Sequence, residues 1–358
     1  MIDLFYKTLL IIGNGFDLQC GLQTNYEHFF SWLKTSEHRN KNLWAVHFLN
    51  NMPEGQDWVN IEESLQNAIN RKSWRRGHSL FGKWIDDAQE MKRSYGDYAI
   101  REENAVAHYI ATHTKNPSKS LPQETTPYWF LDELIAFERL FSEFLSKQVS
   151  DNDNYIPNAA KLLDKLLDEE DKRVSIVNFN YTKPFKFSEN DKYINVINSV
   201  ENVHGAYDED NIIFGIDVKS ASISDARIFS KTHRKMFQQS AKSILPKIVD
   251  KIKIYGHSLG EADYSYFHSI FDFYNLYGNG NLVSLDYKKL NPPSIVLQFY
   301  FTVYDESEET VIKRNATDSV YKLIATYGKS FDNKDKGENL LHKLLLENRI
   351  KIYFLSNI

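Results

Sequence analysis

The chain has 358 residues, of which 42% are hydrophobic and 25% charged, and its net charge is −5. This composition is typical of a globular protein, and the acidic balance argues against a chain-wide electrostatic grip on nucleic acid or on an anionic membrane. The one cysteine, Cys20, excludes an internal disulfide and a multi-cysteine zinc site. No apolar run approaches the roughly 20 residues that cross a bilayer, and the N-terminus lacks a signal-peptide cleavage pattern, so we expect a soluble, cytoplasmic protein.

The first predicted element is a strand at 8–12. Its unbroken apolar run ends at Gly13 and suits the centre of a parallel sheet that is covered on both faces. Helical patterns follow, because apolar residues recur at three- and four-residue spacing over 25–34, 57–70 and 128–149. The last of these patterns carries an apolar stripe that we expect in the core: Phe130, Leu134, Phe137, Leu140, Phe141, Phe144 and Leu145.

Other segments of this helical region are polar or basic. The segment 71–92 is rich in tryptophan and basic side chains, namely Trp74, Arg75, Arg76 and Trp84. A nucleic-acid-binding face is one interpretation of that segment, but a solvated amphipathic helix is favoured. Three prolines among polar residues indicate an exposed loop at 116–127, and 151–157 is a second break.

The pattern changes after residue 172. Short apolar runs typical of strands lie at 174–177, 196–203, 212–216, 252–255, 295–303 and 350–355. Helical stretches between several of them lie at 225–249, 262–277, 317–327 and 338–347. This alternation predicts a mostly parallel, Rossmann-like α/β sheet. We therefore predict one α/β domain made of 1–34 and 171–358, with a large α-helical insert over 35–170 after the first strand.

A glycine-rich loop, Gly13-Asn14-Gly15-Phe16-Asp17, follows the first strand directly. Glycines there let the backbone turn tightly and approach a phosphate, and the start of a following helix can face the anion. The third glycine of the dinucleotide-binding fingerprint is missing. A tight turn in which Asp17 caps a helix explains the same residues equally well.

Two later motifs also end predicted strands, where ligand-binding groups of open α/β sheets gather. One is Asn178-Phe179-Asn180-Tyr181-Thr182, whose asparagines alternatively satisfy backbone groups in a turn. The other is His204-Gly205. Most single histidines are structural, but one at a strand end before a glycine is free to act as an acid or base.

Residues Gly256-His257-Ser258-Leu259-Gly260 match the nucleophile elbow of α/β-hydrolases, between a predicted strand and a predicted helix. Asp286 and His342 supply the remaining triad residues in the expected chain order. No glycine cluster for an oxyanion loop follows an early strand, which argues against this serine-hydrolase interpretation. No metal site is predicted, because the candidate ligands lack ligand spacing: His204, His257, His268 and Asp217.

Taken together, these motifs resemble those of the AbiH-like family of bacteriophage abortive-infection proteins. The resemblance rests on residues in this order: Leu10-Ile11-Ile12-Gly13-Asn14-Gly15-Phe16-Asp17, Trp58-x-Asn60-x-Glu62, Asn178-Phe179-Asn180-Tyr181-Thr182, His204-Gly205 and Gly256-His257-Ser258-Leu259. It implies a role in bacterial defence against phage, in which the chain acts with a partner protein or with further copies of itself.

The same order of motifs also resembles sirtuin-like NAD-binding domains. That resemblance implies a catalytic pair, Asn180 and His204, and an NAD-binding set made of Gly13, Asn14, Gly15, Phe16, Asp17, Gly256 and Ser258. The zinc module of deacetylases is absent, so the resemblance implies hydrolysis of NAD rather than removal of acyl groups from lysine. We expect NAD or a related nucleotide as ligand, and neither a membrane nor nucleic acid as partner. A serine hydrolase, a non-catalytic nucleotide-sensing module and a toxin acting on nucleic acid are the alternatives.

Overall fold

The structure is a computed structural model. It describes residues 7–52, 60–70, 82–94, 104–115, 117, 126–185, 193–216, 224–237, 243–278, 295–304 and 306–357. Several residues of the sequence-based hypotheses lie outside these ranges: Trp58, Trp74, Arg75, Arg76, Asp217, Asp286 and most of the loop predicted at 116–127.

A six-stranded parallel sheet is the centre of the fold. Its strands are β1 (Lys7–Ile12), β2 (Arg173–Asn178), β3 (Ile197–Asn202), β4 (Lys251–Tyr255), β5 (Val296–Val303) and β6 (Ile350–Ser356). They lie in the order β3-β2-β1-β4-β5-β6, and all five pairings between them are parallel. The predicted Rossmann-like α/β fold is confirmed, and its order is that of doubly wound dinucleotide-binding sheets.

Helices lie along the chain between and around these strands. Their bounds are α1 (Asn14–Gln19), α2 (Tyr26–Thr35), α3 (Leu43–Asn50), α4 (Ile61–Asn70), α5 (Gly82–Arg93), α6 (Ala105–His113), α7 (Thr126–Ser150), α8 (Tyr155–Leu166), α9 (Lys231–Phe237), α10 (Tyr264–Phe273), α11 (Glu309–Lys329), α12 (Lys334–Glu338) and α13 (Leu340–Leu346).

The described residues form two compact units. The first takes its residues from Met1–Leu22, Asp151–Val203 and Ala241–Ile358, and the second from Gln23–Ser150 and His204–Ser240. The predicted domain boundaries at 34/35 and 170/171 stay a prediction.

The sheet belongs to the first unit and is covered on both faces. Leu9 and Ile11 pack into an apolar cluster with residues of α10, α11 and α13. Leu10 and Ile12 alternate with them and are fully buried too, so they face the opposite side of β1. On β4, Lys253 donates a hydrogen bond to the Leu166 carbonyl at the end of α8. Burial on both faces explains the unbroken apolar run of β1.

Aromatic side chains fill the core of the second unit. The predicted stripe of α7 is buried at Phe130, Leu134, Phe137, Phe141, Phe144 and Leu145, whereas Leu140 is half-buried. Phe29 of α2 packs against this stripe, with its ring centroid 4.9 Å from that of Phe141. Trp44 of α3 is fully buried and its indole N–H donates to the Phe130 carbonyl at 2.9 Å.

Three sequence predictions are wrong in detail. Residues 212–216 are not a strand, because side chains rather than a neighbouring strand bond the backbone of Phe214. Within the described part of 225–249, the predicted helix is limited to α9 after a 3₁₀ turn at Ser224–Phe229, and the chain around Pro246 is irregular. The break predicted at 151–157 ends early, since α8 starts at Tyr155 and tolerates Pro157 in its first turn.

Candidate functional site

The strand order places a topological switch point between β1 and β4. Connections from β1 lead outwards through β2 to β3, and those from β4 lead the other way to β5 and β6. In open parallel sheets, ligands bind beyond the carboxyl ends of the strands at such a point. The two loops that leave the sheet there are the glycine-rich loop after Ile12 and the elbow sequence after Tyr255.

The two loops pack backbone against backbone. The Gly13 N–H donates to the Tyr255 carbonyl at 3.0 Å, and the Gly15 N–H donates to the Gly256 carbonyl at 2.7 Å. A Cβ atom on Gly15 would lie 2.8 Å from the Gly256 Cα, and one on Gly256 would lie 2.5 Å from the Phe16 nitrogen. Gly256 also has a φ of +67°, which favours glycine. Close contact between the loops therefore accounts for these glycines.

Little of the glycine-rich loop is left open for a phosphate. The amides of Gly15 and Phe16 donate to the Gly256 and Gly13 carbonyls, at 2.7 and 2.8 Å. The Phe16 side chain is fully buried, with its ring edge-on to that of Tyr255 at a centroid distance of 6.0 Å. Asn14 is half-buried at the first position of α1. Phe16 is thus a packing residue, and Asn14 is the loop side chain that reaches the surface.

Asn180 lies against this loop. Its side-chain amide donates to the Gly13 carbonyl at 3.1 Å, and its backbone N–H donates to the Asn178 side-chain oxygen at 2.9 Å. Asn202, at the end of β3, donates to the carbonyls of Asn180 and Thr182 at 2.8 and 2.9 Å. The side-chain oxygen of Asn180 accepts no hydrogen bond from the described part of the protein. Asn202 was not singled out from the sequence, although it too is an asparagine that ends a strand.

Asp17 is buried beneath the loop instead of facing outwards. Its exposed fraction is 1%, and its two carboxylate oxygens accept hydrogen bonds from the Tyr155 hydroxyl at 2.8 Å and the Thr182 hydroxyl at 2.6 Å. Burial raises the pKa of Asp17 to about 7, although the bonds from Thr182 and Tyr155 lower it in part. Asp17 therefore joins α1 to α8 and to the turn after β2. Tyr155 could not be paired with it from the sequence.

The elbow sequence places Ser258 at the surface and His257 in the interior. The His257 Nδ1 accepts the Leu259 N–H at 3.0 Å, and its Nε2 lies 3.4 Å from the Asp263 carboxylate. Both ring nitrogens are engaged, so neither is left as a base for Ser258. His342 is exposed on α13, and no hydrogen bond joins it to Ser258 in the described structure. Asp286 lies outside the described residues, so a hydrolase triad is not assembled from what is described.

His204 follows β3 by two residues and belongs to the second unit. It is buried, and its carbonyl accepts the Ile213 N–H at 3.0 Å. Gly205 has a φ of +88°, and a Cβ there would lie 2.0 Å from the Asn211 carbonyl oxygen. The Asn211 side chain accepts the Ala206 N–H at 2.6 Å, which closes the turn. The distance between the side chains of Asn180 and His204 stays a prediction.

Two further features bear on function classes. Across the described ranges, no group of three or more His, Cys, Asp and Glu side chains is arranged to hold a metal ion. Within the same ranges, no helix combines the length and the apolar character needed to cross a membrane.

Comparison with known proteins adds one finding. A family model described as "Bacteriophage abortive infection AbiH" matches residues 9–278. The match begins inside β1 and ends after α10, so it includes both loops of the switch point, Asn180 and His204. No curated protein and no solved structure matches the chain.

Proposed function

The chain belongs to the bacteriophage abortive-infection family AbiH and has a role in defence against phage, and from this premise we propose that it acts by hydrolysing NAD to nicotinamide and ADP-ribose. In this proposal Asn180 and His204 are the catalytic residues. The NAD-binding residues are those of the two switch-point loops, with Ser258 and Asn14 as the side chains nearest the surface.

The observation that carries the proposal is the hydrogen bond from the Asn180 side chain to the Gly13 carbonyl, which joins positions 167 residues apart in the chain. It sets an asparagine beside the loop of β1 at the switch point of the sheet, where dinucleotides bind in folds of this strand order. Asn202 fixes the backbone of the turn, so the amide is held in one position.

The way in which NAD would be held differs from that in ordinary dinucleotide-binding loops. Because the amides of Gly15 and Phe16 are bonded within the protein, they do not support a phosphate cradle. The exposed Ser258 hydroxyl has no hydrogen-bond partner in the described chain, and it follows β4 at the same edge of the sheet. Ser258 therefore fits a hydrogen bond to a phosphate or ribose oxygen better than it fits the role of a nucleophile.

The chemistry requires few groups. As the bond between ribose C1′ and the nicotinamide nitrogen breaks, its electron pair leaves with nicotinamide and positive charge develops on the ribose. The side-chain oxygen of Asn180, which accepts no hydrogen bond from the described residues, can hold a ribose hydroxyl or the attacking water without adding charge. His204 takes the proton of that water as the oxygen bonds to C1′, a role typically worth about 10²- to 10⁴-fold in rate.

Nicotinamide release by the purified protein, with and without phage components, tests the proposal. Asn180→Ala and His204→Ala should each abolish release. Asn158→Ala is the matched control, because that side chain also donates to a backbone carbonyl, Cys20 at 3.4 Å, but lies on α8; it should retain release. Unchanged NAD under every condition, including phage infection of cells that make the protein, would refute the hydrolase proposal.

A non-catalytic nucleotide-sensing role is the second candidate. The observation that favours it is the closed state of the glycine-rich loop, in which the amides of Gly15 and Phe16 are already bonded within the protein. In that case calorimetric titration with NAD should give saturable binding that Ser258→Ala weakens, while no nicotinamide is released. Binding accompanied by release would instead favour the hydrolase.

A further inference from the structure

A buried ion pair lies in the second unit, between α7 and α9. The Arg234 guanidinium makes two parallel bonds to the Glu138 carboxylate, one of them 2.7 Å from Nη2 to Oε2. The side chains of Glu138 and Arg234 are only 4% and 11% exposed. Such a pair adds little net stability over apolar residues of the same size, because desolvation offsets the attraction. Its geometry therefore calls for another explanation.

The ion pair holds the backbone of one residue from both sides. The Phe214 N–H donates to the Glu138 carboxylate at 2.6 Å, and the Phe214 carbonyl accepts from Arg234 Nη1 at 2.8 Å. In a strand these two groups would bond to a neighbouring strand, and here the two charged side chains replace it. This is why an apolar run that looks like a strand is not one.

Phe214 is next to the residue that holds His204. The Ile213 N–H donates to the His204 carbonyl at 3.0 Å, and Gly205 leaves no room for a Cβ beside the Asn211 carbonyl. A shift of Phe214 would therefore move Ile213 and, through it, the His204-Gly205 turn.

The far end of the same segment is anchored as well. The Lys231 N–H donates to the Ile216 carbonyl at 3.1 Å, and a Cβ on Gly215 would lie 2.5 Å from the Phe229 carbonyl. Lys231 pairs with Glu62 at 3.3 Å, and Glu62 accepts from the Tyr26 hydroxyl at 3.1 Å. Glu62 thus supports the helix that carries Arg234.

We propose that the Glu138–Arg234 pair positions His204, by clamping Phe214 and thereby the Ile213 amide on which the His204 carbonyl rests. The consequence for activity rests on the proposed NAD hydrolysis, in which His204 accepts a proton from water. Glu138 and Arg234 themselves are positioning residues that act only through the segment 211–214.

The direct test is nuclear magnetic resonance of the His204 imidazole in protein labelled at histidine, with the His204 resonance identified from its loss in His204→Gln. Glu138→Gln and Arg234→Met should each displace or broaden the His204 resonance and shift its titration midpoint. Arg234→Lys, which keeps the charge but cannot bond two acceptors in the same plane, should give a smaller displacement in the same direction. If Glu138→Gln and Arg234→Met do not fold, Arg234→Lys alone provides the test.

Lys253→Met is the matched control, because it breaks a buried ion pair whose residues belong to the first unit, whereas His204 belongs to the second. Its His204 resonance should coincide with that of the wild type. Kinetics give a second readout. Glu138→Gln and Arg234→Met should each lower kcat for nicotinamide release by about 10- to 100-fold with little change in KM, as expected for a displaced base.

The two proposals fail in different ways. If the wild-type protein releases no nicotinamide, the proposed function is refuted, but the imidazole resonances still decide the positioning role. If Glu138→Gln, Arg234→Met or Arg234→Lys is folded and its His204 resonance and titration coincide with those of the wild type, the positioning role is refuted whatever the activity.

Discussion

Replacing Asp17 by asparagine should remove a pH dependence of stability that this one carboxyl imposes. The side chain is fully buried, and its pKa is raised to about 7 from the usual 3.8 because burial disfavours the charged form. Asparagine has the same shape, and its oxygen can still accept the bond from Tyr155. The substitution therefore changes the charge while it leaves the packing almost unaltered.

The sign follows from counting protons. Between pH 3.8 and about pH 7 the folded protein keeps a proton on Asp17 that the unfolded chain has released. The free energy of unfolding therefore falls as the pH rises through this window, and the contribution of Asp17 is level below and above it. One proton gives a slope of about 1.4 kcal/mol per pH unit, so a window of roughly three units corresponds to a loss of about 4 kcal/mol at most.

Urea unfolding followed by tryptophan fluorescence, from pH 4 to pH 8, measures this directly. The difference between Asp17→Asn and the wild type should move in favour of the variant by several kcal/mol across the window. Tyr155→Phe removes a donor that lowers the pKa of Asp17, so its stability should continue to fall to a higher pH. A difference between Asp17→Asn and the wild type that does not vary with pH would refute the assignment.

Three further substitutions have clear expectations. Gly256→Ala should destabilise the protein by about 3 kcal/mol or more in thermal melts, since its φ is +67° and a Cβ would lie 2.5 Å from a backbone nitrogen. Gly260→Ala should be tolerated in the same melts, because the nearest atom to a Cβ there is 3.5 Å away. Lys253→Met removes the cation nearest to the buried Asp171 carboxylate and should cost about 3–5 kcal/mol in urea unfolding. Lys313→Met, in an exposed helical pair, should cost about 0–1 kcal/mol, and equal costs would contradict this. Ser258→Ala should weaken NAD binding but keep measurable nicotinamide release, and complete loss of release would return the serine to a catalytic role.

The sheet could be predicted from the sequence, because burial on both faces of a strand leaves a run of apolar residues. The run at 8–12 is apolar from Leu9 onwards, the run at 252–255 is apolar except for Lys253, and both lie in strands of the parallel sheet. The run at 212–216 is apolar too, but it is not a strand, because side chains of α7 and α9 bond the backbone of Phe214. Periodicity reports which residues are buried, and it does not report which groups bond their backbone.

The candidate site could be predicted from the sequence only in part, because sequence patterns do not show which groups a side chain or backbone amide bonds. The contact of the loops after β1 and β4, and the place of Asn180 beside Gly13, follow from the rule that parallel strands end at one edge. The burial of Asp17 does not, since its partner Tyr155 is 138 positions away and no spacing rule joins them. The role of Gly15 in the contact between the loops could not be predicted either, because a glycine allows a phosphate and a neighbouring backbone to approach equally closely.

The position of β1 in the sheet has a consequence for folding of the protein during its synthesis on the ribosome. The Gly13 carbonyl accepts a hydrogen bond from Asn180, which is synthesised 167 positions later, and the Lys7 N–H donates to Asp250, 243 positions later. At about 5–20 residues per second, the first of these delays is on the order of 10–30 s, during which an apolar strand has no permanent neighbour. The second unit is interrupted in the same way, because it needs residues from His204–Ser240. A nascent chain released before residue 256 lacks the closed glycine-rich loop, because the Gly15 N–H has no Gly256 carbonyl to which it can donate.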